Sequence, residues 1–334
     1  MNLLILTSNP KRPSFRQRIG VYLDILTENG ITPHIEVIPK NIIARWPLYK
    51  KAADFDGVLV QKKLLNFFDA KILKKSAKII IYNYDDAVML SEKHPQKRSL
   101  SHLIPFHRMI CLSACVITAS SYLARFAKSN GDKIKILPIG LKTSDYNFDP
   151  PKQDEKIRLV WIGSGNTLPF LEDLRPVLEQ IGRKFKNVVL RIIGDDFFDL
   201  ENMPVEKVQW NQDTRGIKLA ECDIGLAPLP DNPFTQGKCS FKVLEYSASG
   251  LPVVASPVGT NPDHLVDGKS GFLANSSNEW VDKISMLIAN PDLRKQMGKD
   301  AREIAKDYDT AVVGQKLAQL IKEAITRHSL QPDS

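Results

Sequence analysis

The stretch "GKCSFKVLEYSASGLPVVASPVG" (237–259) gathers side chains suited to an anionic, hydroxyl-rich ligand. A helix opening at Gly237 and Lys238 would leave the N–H groups around Cys239, Ser240 and Phe241 without intrahelical partners. With the helix dipole, those donors make an anion site. Lys238, Lys242 and Glu245 then fall at i, i+4 and i+7 on one helical face, while Val243 and Leu244 turn to the core. Phosphate at the helix start and sugar hydroxyls beside Glu245 would use all three. A plain surface pair of Lys242 and Glu245 on an amphipathic helix also satisfies the pattern. A Walker loop does not, because its first Gly would fall on Asn232 and Cys239 replaces the hydroxyl that holds magnesium.

Other candidates lie in the first half. Asp85 and Asp86 in "YNYDDAV" follow a strand, and adjacent carboxylates repel unless a cation or sugar hydroxyls face them. A helix cap is the alternative use for them, outweighed by the functional one. Arg16 and Arg18 in "SFRQRI" begin a helix and could hold a phosphate of donor or acceptor, or lie in solvent. "WIGSGN" supplies Gly163 and Gly165 without the third glycine of a dinucleotide fingerprint. The six histidines show no metal spacing. Four cysteines form neither a CxxC pair nor a zinc quartet. Cys111 and Cys115, one helical turn apart, read as buried thiols in a reducing cytosol.

The elements that must position these residues alternate twice along 334 residues. "NLLILTS", "PHIEVIP", "FDGVLVQK", "AKIIIYNYDD" and "ACVITAS" read as strands, most of them separated by helical patterns such as 62–75 and 121–129. After a Pro- and charge-rich linker (143–156), "IRLVWIGS", "NVVLRIIGDD", "CDIGLAPLP" and "LPVVASP" repeat the grammar. The implied fold is α/β: two Rossmann-like, doubly wound parallel-sheet domains, 1–150 and 151–310, facing a cleft, with a last helical segment at 311–334. Residues 1–150 carry 23 Lys and Arg against 12 Asp and Glu, and residues 151–334 carry 23 against 26. The basic half suggests an anionic partner. Nucleic acid fits poorly, since no helix-turn-helix, zinc-finger or RNP pattern occurs. The opening apolar run is shorter than a signal peptide, and no run reaches the roughly 18–20 apolar residues of a membrane span. A cytoplasmic protein, at most peripheral on the membrane, is expected. Basic, apolar "QKKLLNFFDAKILKK" (61–75) could touch an anionic membrane, although its spacing also suits packing on the sheet.

On these motifs the chain resembles the retaining GT-B glycosyltransferases of family 4. The similarity runs through "CDIGLAPLPDNPFTQGKCSFKVLEYSASGLPVVASPVGTNPDHLVDGKSGFLA" in the second half. In the first half it runs through "RPSFRQRI", "FDGVLVQKKLL", "IIYNYDDAV", "VITASSYLARFA" and "ILPIGLKTSDY". The resemblance implies sugar transfer from a nucleoside diphosphate donor to a hydroxyl of a glycan or lipid-linked acceptor, with no metal or other cofactor. Glu245 matches the second Glu of the family's E-x7-E motif and would bind the ribose. The amides near Ser240 and Phe241 would cradle the diphosphate, and the loop at Gly163 and Ser164 stands on the donor side. Asp85 and Asp86 stand where relatives often carry His-Asp. The last helix would cross back to the first domain. Two departures stand out: Gly237 replaces the first Glu, and Ser164 replaces an Arg, with no Lys following in 165–175. Lys238, with Lys242, is expected to restore the positive charge. A sugar-nucleotide epimerase of the same fold, or a non-catalytic sugar-nucleotide-binding relative, are the alternatives.

Overall fold

Near-continuous apolar runs make strands that can be buried on both faces, which is what a parallel sheet wound by helices requires. The computed structural model describes residues 1–97, 99–127, 131–146, 148 and 154–330. The chain starts β1 (Asn2–Thr7), α1 (Pro13–Arg18), α2 (Leu23–Glu28), β2 (Thr32–Val37), α3 (Ile42–Lys50), β3 (Gly57–Gln61) and α4 (Phe67–Ser76). It continues β4 (Ile80–Tyr84), α5 (Leu100–Leu112), β5 (Cys115–Thr118), α6 (Ser121–Phe126) and β6 (Ile134–Ile136). These strands form one parallel sheet in the order β2-β1-β3-β4-β5-β6. Alternation along the strands sends Leu4, Leu6, Val58, Val60, Ile80 and Tyr82 to one core and Leu3, Ile5, Leu59 and Ile81 to the other.

The second sheet uses the same construction. Its elements are β7 (Ile157–Ile162), α7 (Leu168–Glu172), α8 (Arg175–Lys184), β8 (Val188–Gly194), β9 (Val205–Gln209), α9 (Arg215–Ala220) and β10 (Ile224–Ala227). Next come α10 (Phe241–Ala248), β11 (Val253–Ala255), α11 (Asn261–His264), β12 (Gly271–Leu273), α12 (Ser277–Ala289) and α13 (Pro291–Lys306). The strand order is β12-β11-β10-β7-β8-β9, again parallel throughout. The final helix, α14 (Thr310–Leu330), places Val313, Leu317, Ile321 and Ile325 in the first sheet's second core, beside Tyr22 and Leu26.

The chain therefore divides into two units. The first is Met1–Leu141, Asn232–Cys239 and the chain from Thr310; the second is Lys142–Asp231 and Ser240–Asp309. The expected break at 150/151 lies outside the described residues. The division falls earlier because Asp145 and Tyr146 bond to Arg215 and Glu245 in the second unit.

Two helices start later than their sequence suggests. The helix expected from Lys62 begins at Phe67, since Lys62 holds a left-handed φ of 60° and the Asn66 side chain caps α4 by accepting from the Asp69 N–H. The helix expected from Gly237 begins at Phe241, after Ser240 takes a left-handed φ of 50°. Lys238 therefore lies outside α10, and the single helical face of Lys238, Lys242 and Glu245 is not formed. Cys111 is exposed on α5 while Cys115 is buried on β5, so these thiols do not share a helical turn.

Truncating Leu317, fully buried in α14, should cost about 2–5 kcal/mol. Hydrogen exchange should show Leu317→Ala loosening β1 and β3 while β7 and β8 keep their protection. Equal loosening of both sheets would mean that α14 does not belong to the first core.

Candidate active site

In the second unit, chemistry-bearing groups collect at the carboxyl end of β7, where a parallel sheet leaves its loops open to ligands. Gly163, the first residue of the loop Gly163–Ser164–Gly165, lies against the Trp161 ring. A Cβ at Gly163 would come within 2.7 Å of the indole ring and 2.9 Å of Lys242 Cε. The Gly165 N–H donates to Asp195 Oδ1 at 2.6 Å, fixing the loop to the end of β8. Lys242, at the second position of α10, reaches over this loop. Its Nζ lies 5.0 Å above the Trp161 ring and donates to Thr167 Oγ1 at 3.3 Å. Ser240 and Phe241 are half-buried at the helix start, and the Ser240 Oγ is buried without a hydrogen-bond partner. First-turn amides, a cation and a Gly-rich loop are the parts of a phosphate site.

Glu245 sits one turn deeper, 6% exposed. Its Oε1 accepts from the Tyr146 hydroxyl at 2.9 Å and lies 3.7 Å from Arg215 Nε. Arg215 in turn donates to the Tyr146 oxygen at 2.9 Å and pairs with Asp145 at 3.1 Å. Burial pushes the Glu245 carboxyl up to about 7, and the Tyr146 hydrogen bond with the charges of Arg215 and Lys242 offsets this only in part. Tyr146 and Arg215 carry no signal in the sequence. Tyr146 stands in a stretch that reads as linker, and its pairing with Glu245 spans 99 residues.

In the first unit, Asp85 and Asp86 follow β4. Lys62 Nζ lies 3.6 Å from Asp85 Oδ1 and 2.5 Å from Asp86 Oδ2, and Lys238 Nζ lies 3.4 Å from Asp86 Oδ1. The Lys238 ammonium also stands 4.7 Å over the Phe234 ring, and the Cys239 thiol donates to the Asp85 carbonyl oxygen at 2.6 Å. Burial raises Asp85, which Lys62 only partly counters. Burial also pushes Asp86 upward, but the charges of Lys62 and Lys238 outweigh it and hold this carboxyl low. Gly237 packs against this cluster: a Cβ there would meet Ala87 Cβ at 2.8 Å and Leu123 at 3.1 Å. A Glu at 237 does not fit this packing. Beside the cluster opens a cavity of 440 Å³ whose lining includes Thr7, Asn9, Arg12, Gln61, Lys62 and Asp86.

Sequence-predicted residues thus separate by unit. Gly163, Ser164, Ser240, Phe241, Lys242 and Glu245 lie in the second; Asp85, Asp86, Lys238, Arg16 and Arg18 lie in the first. Arg18 is 1% exposed and ties α1 to the sheet, donating to Asn83 Oδ1 and to the carbonyls of Leu137 and Pro138. Arg16 is half-buried on the same helix. Among the described residues no cluster of three or more His, Cys, Asp or Glu could hold a metal ion.

Because the folded pKa of Glu245 lies above the unfolded value of 4.5, the native chain holds the extra proton between those values. Stability should therefore fall, by on the order of 2–3 kcal/mol, as pH rises from about 5 to 7, and level off above. Glu245→Gln should flatten that slope in urea unfolding of the second unit. Parallel slopes for both proteins would show that Glu245 is ionised throughout.

Residues 157–290 match the family described as Glycosyl transferases group 1. An uncharacterized glycosyltransferase of Methanocaldococcus jannaschii is 34% identical over 235 residues, 64% of this chain and 65% of that protein. A D-inositol 3-phosphate glycosyltransferase of Corynebacterium glutamicum is 31% identical over 93 residues, 27% of this chain. The match spans about a fifth of the length of that enzyme and of two like it (22%, 20% and 19%). Among solved structures, Anabaena Alr3699/HepE in complex with UDP and glucose aligns with a TM-score of 0.72 at 17% identity, covering 97% of this chain and 100% of that one. Sucrose-phosphate synthase of Thermosynechococcus elongatus aligns with a TM-score of 0.75 at 13% identity, covering 98% and 99%. These likenesses show the fold, which is GT-B, and the relatives are glycosyltransferases.

Proposed function

We propose that this chain is a glycosyltransferase that moves a sugar from a nucleoside diphosphate donor to a hydroxyl acceptor with retention, in the synthesis of envelope or polysaccharide glycans. The observation that carries the reading is the placement of Lys242 over the Gly163–Thr167 loop, one turn before the buried Glu245. A structural neighbour that holds UDP and glucose supports the donor class. In this reading the first-turn amides of α10 and Lys242 take the diphosphate, and Glu245 takes the ribose. Lys242, rather than Lys238, replaces the cation missing at Ser164. Lys238 is engaged by Asp86 and serves the first unit, where Asp85, Asp86 and the adjoining cavity receive a glycan or lipid-linked acceptor.

The reaction needs stabilisation of a departing diphosphate and an oxocarbenium-like transition state. Fixed donors at a helix start with a nearby ammonium supply that without a metal or other cofactor. A carboxyl with a pKa near 7 can accept ribose hydroxyls when ionised. Bound diphosphate would itself raise that pKa, so the lysine and Arg215 must hold the site near neutrality.

Melting scans with UDP-, GDP-, ADP- and TDP-sugars should identify a stabilising donor. Lys242→Ala should then weaken that donor about 10–100-fold, through loss of charge-assisted hydrogen bonds, while Lys238→Ala leaves its affinity nearly unchanged. The reverse ranking would return the diphosphate role to Lys238. Donor binding with no nucleoside diphosphate released, with or without acceptors, would point to a non-catalytic relative. Turnover of the sugar nucleotide without any acceptor would point to an epimerase.

A further inference from the structure

Three neighbouring helices of the first unit expose apolar side chains at the same end. α4 packs between α3 and α5 against one face of the sheet. All three follow parallel strands, so their amino ends lie at the strands' carboxyl edge. There Ile42, Ile43 and Trp46 of α3, Phe67 and Phe68 of α4, and Leu100 and Ile104 of α5 face solvent. These seven are among eighteen large apolar side chains exposed over the described residues, far more than three short helices would carry by chance. Phe67 and Phe68 are 61% and 67% exposed and Ile43 is 72% exposed, so the core does not account for them. The buried ion pair of Arg45 with Asp69, at 3.0 Å, ties the first turns of α3 and α4 and holds their tips together.

The charge around these tips is mostly positive. Lys40, Lys63 and Lys97 stand in the segments leading into α3, α4 and α5, and Lys71 follows one turn into α4; none has an ion-pair partner among the described residues. Within the three helices the sole carboxylate is Asp69, which is buried on Arg45. Glu92 is the one exposed carboxylate of the described leading segments, and it lines the 440 Å³ cavity. Exposed aromatic and aliphatic tips ringed by unpaired lysines match an interface of acyl chains under anionic headgroups. A protein partner would have to supply an apolar groove and a field of carboxylates together.

We propose that the amino ends of α3, α4 and α5 seat this protein on an anionic phospholipid membrane, with Phe67 and Phe68 entering the headgroup layer. The surface shares Lys63, Phe67, Phe68 and Lys71 with the 61–75 stretch expected to touch a membrane, but Leu65, Ala70 and Leu73 of that stretch are buried, and the tips of α3 and α5 complete the contact. Lys63, Leu64 and His102 line the cavity beside the same tips, so a lipid-linked acceptor lying in the bilayer could present its headgroup there. The seating itself does not rest on the transfer reaction.

Flotation with vesicles of phosphatidylglycerol and phosphatidylcholine, without any sugar nucleotide, tests the surface. Wild-type protein should float with phosphatidylglycerol vesicles at low salt, less at raised salt, and not with phosphatidylcholine alone. Phe67→Ser with Phe68→Ser should lower the partition at least about tenfold, with melting temperature and donor-induced stabilisation unchanged. Lys71→Glu should lower it as well. Absence of wild-type binding at low salt overturns the proposal, as does equal binding to both lipids or by the double variant. A wild-type dimer that the double variant dissolves, with no vesicle binding, would assign the surface to a second copy of the chain. Failure of donor binding in the separate melting scans would leave the vesicle result standing, so the two readings fail independently.

Discussion

Two adjacent carboxylates at the end of a strand, one buried and one half-buried, cannot both remain charged without cations beside them, and much of this molecule follows from how Asp85 and Asp86 meet that requirement. Lys62 bridges both, and to do so the chain leaves β3 through a left-handed lysine. Lys238 completes the neutralisation of Asp86 from a segment far along the sequence, and that segment consequently belongs to the first unit. For Lys238 to arrive there, the chain before it must approach Ala87 too closely for any side chain at 237. After Cys239 the chain turns through the left-handed Ser240 before α10 can begin. The glycine, the lysine and the late helix start are one feature with one electrostatic cause.

That cause also explains which cation remains for the second unit. With Lys238 held by Asp86, Lys242 is the first lysine of α10 itself, and the indole of Trp161 directs its ammonium over the β7 loop. Glu245 lies in a less charged environment. Tyr146 and Arg215 bind it, yet burial still keeps its carboxyl near neutrality in pH terms. An ammonium over a Gly-rich loop and a carboxyl whose ionisation depends on its neighbours are opposite solutions to the same problem. Charge is kept where an anion would arrive and is conditional where neutral hydroxyls would.

The layers of the fold were legible because they are local. Apolar runs such as "NLLILTS" and "IRLVWIGS" announce doubly buried strands. The helix that carries Glu245 was legible as well, although it begins at Phe241 rather than at Gly237. What the sequence hid depends on partners distant in the chain. Nothing near Lys238 signals that it bonds to a residue about 150 positions earlier, so helical spacing wrongly joined it to Lys242 and Glu245. Tyr146 sits among Pro and Asp residues that read as linker, and its role exists only once Glu245 and Arg215 are folded around it. The left-handed Lys62 and Ser240 break helices that composition alone would extend.

The carboxyl edge of the first sheet carries two unlike surfaces side by side. The cavity there has a mixed lining in which the Asp86–Lys62 pair and the amide of Gln61 stand among Leu64, Val88 and Phe234; the helix tips beyond it are apolar and basic. Parallel topology brings them together, since each strand's polar exit and the amino end of the helix after it must lie at one edge. A hydrophilic headgroup on an apolar anchor has the complementary layout, with hydroxyls and phosphate at one end and hydrocarbon at the other. A wholly water-soluble acceptor would use the cavity and leave Phe67 and Phe68 without a reason to be exposed. Under the transfer reaction proposed above, the pairing of cavity and tips favours an acceptor carried by a lipid over a free sugar.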